Sequence, residues 1–311
     1  MLVSVVYVLL EMIEFNNYAI LWVTMKRILL KFRLYWPLTK SLQTGLLLST
    51  GLAGYMTARC PVMHWYDFLG LAVSLFLAIA GSTILNMWYD RDIDSVMQRT
   101  HHRPLADGRV SPREALRLGL VLSILGVGLA VLMSPLYGLL VFAGLFFDVV
   151  IYTIWLKRRT CWSIIWGGIS GGMPILAGRA FGLGQVDAVG ILLSLAVLFW
   201  IPTHIMTFSM RYHADYKAAG IPTFPSSYGF PGTRLAIAIS SILAAISIGI
   251  AGFMIGVEWG FLRLLGVLSM GLFLLALSSV FRPTERNNFG LFKYASIYML
   301  SAMILLSISA V

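Results

Sequence analysis

Charge is scarce in this chain of 311 residues: 12% of the side chains are Asp, Glu, Lys or Arg, and only 13 are acidic. A water-soluble globule of this length needs far more polar surface than that, so a soluble enzyme or a soluble nucleic-acid binder is excluded. Cysteine is scarcer still. Cys60 and Cys161 stand far apart and form no CxxC or Cys/His cluster, which excludes a disulfide framework and a zinc site and leaves both as packing residues. What the chain has in abundance is apolar sequence, 59% hydrophobic by composition with a mean hydropathy of +0.85, and that composition belongs in a bilayer.

Apolar runs predict nine transmembrane helices at 43–58, 67–88, 115–134, 136–156, 161–178, 187–210, 234–257, 260–281 and 292–310. At roughly 20 residues each they leave room for loops but not for a separate soluble domain. Gly167, Gly168, Gly171 and Gly172 mark the fifth as an interior helix, because small residues permit the close contact that holds helices together in lipid. The basic residues follow the spans. Lys26, Arg27, Lys31, Arg33 and Lys40 precede the first; Arg91, Arg99, Arg103, Arg109, Arg113 and Arg117 surround the second-to-third loop; Lys157, Arg158 and Arg159 follow the fourth. Arg211, Lys217 and Arg234 follow the sixth, and Arg282, Arg286 and Lys293 the eighth. Of 23 Lys and Arg, only Arg59, Arg179 and Arg263 fall on the alternate side. The positive-inside rule then predicts a multi-pass plasma-membrane protein with a cytoplasmic N-terminus and an external C-terminus. It also explains the net charge of +10 by topology, with no nucleic acid as partner.

Residues 1–24 are apolar but interrupted by Glu11 and Glu14, and no basic region precedes them as a signal peptide requires. Met25, Lys26 and Arg27 make a conventional cytoplasmic start, so residues 1–24 are either an upstream misreading of the start or a peripheral extra helix. Residues 25–311 read as a single integral membrane domain.

Three of the scarce acids, Asp90, Asp92 and Asp94, crowd into five positions at a membrane boundary. Asn86, Asp90 and Asp94 recur at i, i+4 and i+8, so on a helix they share one face, spaced by about 6 Å, while Asp92 points elsewhere. Oxygen ligands stacked in this way suit Mg²⁺, which keeps several waters and shares its coordination with substrate phosphates. A solvated loop whose carboxylates pair with Arg91 and neighbouring bases fits the same spacing. A second polar break carries Arg211, His213, Asp215 and Lys217 before Gly220 and Pro222 on the same predicted side; a surface turn is the plainer account of it, yet the two breaks have the chance to meet. Arg99, Arg103 and Lys157 supply cations suited to a diphosphate, although topology alone also puts bases there.

These residues carry a resemblance. The run NMWYDRDIDSVMQRTHHRPLADGRVS, Asn86 to Ser111, resembles the first Asp-rich motif of the UbiA-type intramembrane prenyltransferases, and its MxRTxxRPL portion, Met97 to Leu105, resembles the heme O synthase (protoheme IX farnesyltransferase) branch. YTIWLKRRT from Tyr152, IPTHIMTFSMRYHADYKAAGIPTFP from Ile201 and the glycine-rich run agree in order, so the similarity covers roughly residues 33–310. The resemblance implies an all-α, nine-helix bundle around a central cavity that faces the cytoplasm and holds an allylic diphosphate, with Mg²⁺ between the two acidic motifs. Asn86, Asp90 and Asp94 carry over as the first metal and diphosphate site and Asp215 as the acid of the second motif. Arg99, Arg103, Lys157, Arg211 and Lys217 are the candidate substrate contacts beside them. The chain departs from the pattern at Ser41 and Leu42, where the family shows Pro and Arg, at Cys161 and Ser163, where it commonly shows Pro and Asn, and at Asp148, a carboxylate inside the fourth span. An intramembrane acid is a functional candidate by default; a hydrogen bond to a neighbouring helix is the alternative.

The expected reaction follows from the family. Farnesyl diphosphate ionises once its leaving group is stabilised, a vinyl carbon of heme B captures the cation, and water completes heme O. His204, with Pro202 and Thr203 inside the sixth span, is the candidate heme contact, equally readable as an interior histidine bonded to another helix; His101 and His102 sit in a polar loop. Tyr152, Trp155, Phe199 and Trp200 suit a prenyl or porphyrin wall, or simple packing. The product points to heme A synthase or terminal oxidase assembly as a partner. Two rivals stand beside this reading: a UbiA-type enzyme for an aromatic, quinone-precursor or lipid acceptor, and a transporter or heme chaperone. Transport favours ionisable residues at mid-membrane, whereas the acids here, apart from Asp148, gather at one boundary.

Overall fold

The computed structural model describes residues 22, 25, 26, 29–58 and 64–308. The stretch 1–21, Arg27, Arg59 and Cys60 lie outside the described residues. A short 3-10 turn, Trp36–Thr39, leads into α1 (Ser41–Met56). There follow α2 (Trp65–Tyr89), the short α3 (Arg91–Val96) and α4 (Pro112–Met133). Next comes α5 (Pro135–Phe146), which continues without a break as a π-helix, Phe147–Leu156. The second half holds α6 (Ser163–Leu183), α7 (Ala188–Arg211), the short α8 (His213–Ala218), α9 (Phe224–Ile255), α10 (Trp259–Phe281) and α11 (Glu285–Ile308).

Local chemistry sets where these helices begin and end. Ser111 caps α4 in a reciprocal box with Glu114, and Pro112 occupies the first turn, where its missing N–H costs nothing. At α5 Ser134 accepts the Tyr137 N–H, again with a proline, Pro135, in the first turn. The Asp187 carboxylate accepts the Gly190 N–H at 2.9 Å to start α7, and Gly184, in the left-handed region at φ 72°, closes α6.

Seven of the helices are long and apolar enough to cross a membrane: α2, α4, α5 with its π continuation, α7, α9, α10 and α11. The other two expected spans are present as helices but differ in kind. α1 has only 16 residues, and the glycines and Arg179 dilute the apolarity of α6. Several boundaries also shift. α9 starts at Phe224, ahead of the expected 234, because a bend at Gly229 (φ 71°, ψ 173°) lets the chain enter the helix at an angle. α11 starts at Glu285, since its first turns are polar and were invisible to an apolar count.

Packing runs α2 on α4, α4 on α5, α5 on α6, α6 on α7, α7 on α9, α9 on α10 and α10 on α11; α11 returns to α7 and α1, and α1 rests on α6 and α2. The largest core joins α7, α9 and α11 through Leu193, Val197, Ile237, Ile248, Tyr298 and Met299. The outward faces stay apolar: Leu120, Ile124 and Leu132 on α4 and Val267, Met270 and Leu274 on α10 are exposed. Such faces belong against lipid.

Glycine sets the closest approach. A methyl at Gly178 would fall 1.9 Å from the Gly51 carbonyl oxygen, and one at Gly54 would fall 2.1 Å from the Ile175 oxygen, so α1 and α6 cross backbone to backbone. Of the glycines singled out by sequence, Gly168, Gly171 and Gly172 face Leu198, Ile201 and Ser194 of α7, while Gly167 meets Tyr152 of the π-helical run. Both crossings follow the rule that small residues, not apolar burial, bring helices together in lipid.

Candidate active site

At one rim of the bundle, α2 ends at Tyr89 and α3 begins at Arg91, with Asp90 (φ −88°, ψ 6°) as the joint. The break does not scatter the acidic line. Asn86, Asp90 and Asp94 are 8%, 3% and 6% exposed, whereas the Asp92 side chain is 61% exposed. The division between three inward groups and one outward group is the one the i, i+4, i+8 spacing predicts.

Each inward group meets a base or a hydroxyl. The Lys157 ammonium donates to Asp90 Oδ2. Arg103 Nη1 donates to Asp94 Oδ2 at 2.7 Å. Asn86 Nδ2 donates to Thr153 Oγ1 at 2.7 Å, and its Oδ1 accepts a long bond, 3.4 Å, from Lys40 Nζ. Outside this line, Arg158 grips Asp92 with both nitrogens, at 2.8 and 2.7 Å, and this fork holds the Asp92 carboxyl below the usual carboxylate range. Arg91, the partner weighed for these acids from sequence, instead donates to the Trp88 carbonyl at 2.7 Å.

The cations are positioned by unusual backbone. Lys40 sits at φ 44°, ψ 57°, the one left-handed residue other than glycine among the described residues, at the entry to α1; such strain concentrates at functional sites. Burial, with Arg103 and Lys157 nearby, pushes its ammonium down to about 8. Lys157 follows the π-helix. Burial opposes its charge too, but Tyr152 and Asp90 outweigh that and hold it above its ordinary range.

The two polar breaks meet. The Arg99 backbone N–H donates to Asp215 Oδ2 at 3.2 Å, and Ile93 and Met97 of the first break pack with Tyr216, Ala219 and Ile221 of the second. Among the described residues, no three His, Cys, Asp or Glu side chains stand together as a ready ligand set, so Asp90, Asp94 and Asp215 do not form a preformed cage. Asp90 Oδ1 is nonetheless buried without a hydrogen bond, with Arg158 Nη2 3.9 Å away. A buried carboxylate oxygen left open among hard oxygen donors fits a magnesium ion.

Other expected residues lie apart. Lys217 is exposed on α8. Arg211 turns toward α11, its Nε 3.9 Å from Glu285. His204 lies deeper, its ring against Trp200, Phe208 and Phe292 and its Nδ1 buried without a partner. Asp148 accepts from Ser82 Oγ at 2.5 Å, the hydrogen bond to a neighbouring helix that sequence offered as its alternative role. Leu42, where the related pattern has arginine, is 89% exposed. Sequence missed Lys40, Thr153 and Arg158 as members of this cluster; no local signal joins Asp92 to Arg158, 66 residues on.

A model described as the UbiA prenyltransferase family matches residues 47–300. A protoheme IX farnesyltransferase of Archaeoglobus fulgidus is 43% identical over 203 residues, which are 65% of this chain and 71% of that protein. The protoheme IX farnesyltransferase of Desulforudis audaxviator is 34% identical over 270 residues, 85% and 84% of the two chains. Among solved structures, a digeranylgeranylglyceryl phosphate synthase superposes with a TM-score of 0.75 at 18% identity, covering 90% of this chain and 98% of that one. A UbiA homolog from Archaeoglobus fulgidus bound to GPP and Mg²⁺ gives 0.63 at 17% identity, covering 89% and 99%. With its acidic rim and this breadth of match, the chain belongs to the UbiA prenyltransferase family.

Proposed function

We propose that this protein transfers the farnesyl group of farnesyl diphosphate to a vinyl group of heme B, giving heme O and diphosphate. The observation that carries the reading is the buried line Asn86, Asp90, Asp94, each facing a base or hydroxyl at one rim, in a chain 34–43% identical to protoheme IX farnesyltransferases.

In this reading the allylic C–O bond breaks and its electron pair leaves with the diphosphate. Lys157, Arg103 and Lys40 surround the acidic line, and Arg99 adjoins Asp215; these cations take over the charge that grows on the departing oxygens. Asp90, Asp94 and Asp215 would hold Mg²⁺, which when bound supplies further charge stabilisation to the leaving group. The vinyl carbon forms the new C–C bond, water adds to the resulting cation beside the ring, and one proton is released. Apolar helix faces shield the first cation from water. The domain is residues 25–311, the membrane is the plasma membrane, and the acidic rim faces the cytoplasm, with the N-terminus on the same side and the C-terminus outside. Heme A synthase or the terminal oxidase assembly receives the product.

The test is incubation of membranes carrying the protein with heme B and farnesyl diphosphate, with chromatography for heme O. Asp90→Ala and Asp94→Ala should abolish the product while the protein stays inserted, and a magnesium chelator should do the same to the wild type. Turnover retained in both variants would remove the metal-site assignment, and product formed only from a quinone precursor would replace the acceptor.

A further inference from the structure

A cleft of about 170 Å³, lined by both apolar and charged side chains, opens between α7, α9 and α11 at the end of α7 that leads into α8. Arg211, Arg234, Phe230, Glu285, Asn288 and Phe289 line it. Its two guanidiniums come from different helices and are held by rings more than by acids. Arg211 lies over Phe289 at 4.9 Å and Arg234 over Phe230 at 6.0 Å. The one carboxylate in the cleft, Glu285, is 3.9 Å from Arg211 and 79% exposed. Arg234 Nε is buried with no hydrogen bond. A buried guanidinium Nε without a partner calls for an acceptor, and two guanidiniums lining one cavity suit a carboxylate or phosphate.

The wall above the cleft narrows the choice. His204, Phe208 and Arg211 follow one another at i, i+4 and i+7 on α7, so they share a face, with His204 about 10 Å deeper along the axis than Arg211. The His204 ring packs on Phe292 at 4.9 Å, and Phe292 stacks on Phe289 at 5.5 Å. An aromatic column thus runs from a buried imidazole nitrogen without a partner to a pair of arginines. A ligand that matches it has a flat apolar body and an anionic edge. The acidic line, the feature that suits a metal diphosphate, is elsewhere, on α2 and α3.

We propose that this cleft receives the carboxylate edge of the porphyrin acceptor, with Arg211 and Arg234 as the clamp and His204 toward the macrocycle. The inference rests on heme being the acceptor. Arg234 is then a specificity residue that separates a dicarboxylate porphyrin from an uncharged acceptor.

The test is binding of heme B and of its dimethyl ester to the purified full-length protein in zwitterionic detergent, read by heme absorption. The wild type should bind the free acid about tenfold tighter or more, ~1.4 kcal/mol for each tenfold. Arg234→Gln should bring the two affinities together while leaving binding of inorganic diphosphate unchanged, and Arg234→Lys should keep part of the preference. A wild type that binds acid and ester alike overturns the proposal without any variant, as does a preference unchanged in Arg234→Gln. If the arginines serve a lipid headgroup, phosphatidylglycerol nanodiscs will bind or stabilise the wild type over Arg234→Gln with no acid-to-ester difference, which also overturns it. A protein that still makes heme O in either case loses only this inference; one that takes up neither porphyrin and makes no heme O loses the proposed function as well.

Discussion

Replacing Lys157 with methionine isolates the central ion pair of the candidate active site. Lys157 and Asp90 are in direct contact, with side chains 19% and 4% exposed. Asp90 already has one oxygen without a hydrogen bond, so Lys157→Met leaves a buried carboxylate with neither oxygen satisfied by this partner. Removing one member of a buried pair costs about 3–5 kcal/mol, and the partial exposure of Lys157 points to the lower end, ~3 kcal/mol. Lys157→Met/Asp90→Asn removes both charges and should stand within ~1 kcal/mol of the wild type, because well-packed neutral groups replace a buried pair at little cost. The double variant is then about 2 kcal/mol more stable than Lys157→Met. Thermal unfolding in detergent, followed by the fluorescence of the nine tryptophans, orders the proteins as wild type, double variant, Lys157→Met from most to least stable. Heme O formation should be lost in both variants, since the recovered stability restores no diphosphate contact. A double variant less stable than Lys157→Met would refute the ion-pair argument, and a double variant with full turnover would refute the role of Asp90.

Two further perturbations test the surroundings of that pair. Lys40, pushed down to about 8 from 10.5, sheds its proton in the folded chain while the unfolded chain still holds one; between those two values its contribution to stability rises with pH and below them it is level. Affinity for inorganic diphosphate should move oppositely, falling as pH passes about 8 in the wild type and levelling in Lys40→Arg, and titration calorimetry that shows a flat wild-type profile across this window would refute it. Gly178→Ala sets a methyl 1.9 Å from the Gly51 carbonyl oxygen, and overpacking of this kind costs about 1–3 kcal/mol; an unchanged melting temperature would show that α1 and α6 separate freely.

The fold was legible where one physical rule governed a segment. Long apolar stretches marked the spans, and the i, i+4, i+8 spacing separated Asn86, Asp90 and Asp94 from Asp92 even though the helix breaks at Asp90. What stayed hidden depended on distant partners. Arg158 reaches Asp92 from 66 residues away, and the left-handed backbone at Lys40 follows from no local pattern. Apolar counts also missed the polar first turns of α9 and α11, because Ser226, Ser227, Glu285 and Arg286 occupy helix without adding hydropathy. The contact glycines divided in the same way: those clustered at 167–172 were visible as a motif, whereas Gly51 and Gly178 matter only as a pair across two helices.

The π-helical run from Phe147 to Leu156 gives the rim a fixed phase. Its backbone bonds close over five residues where the usual helix closes over four. It delivers two consecutive side chains, Lys157 and Arg158, to two different carboxylates, Asp90 and Asp92. Loss of a single residue from the run would swing its far end by roughly a quarter turn and aim both cations away from their targets. Side chains on its outward face can change without disturbing that aim, whereas its length cannot.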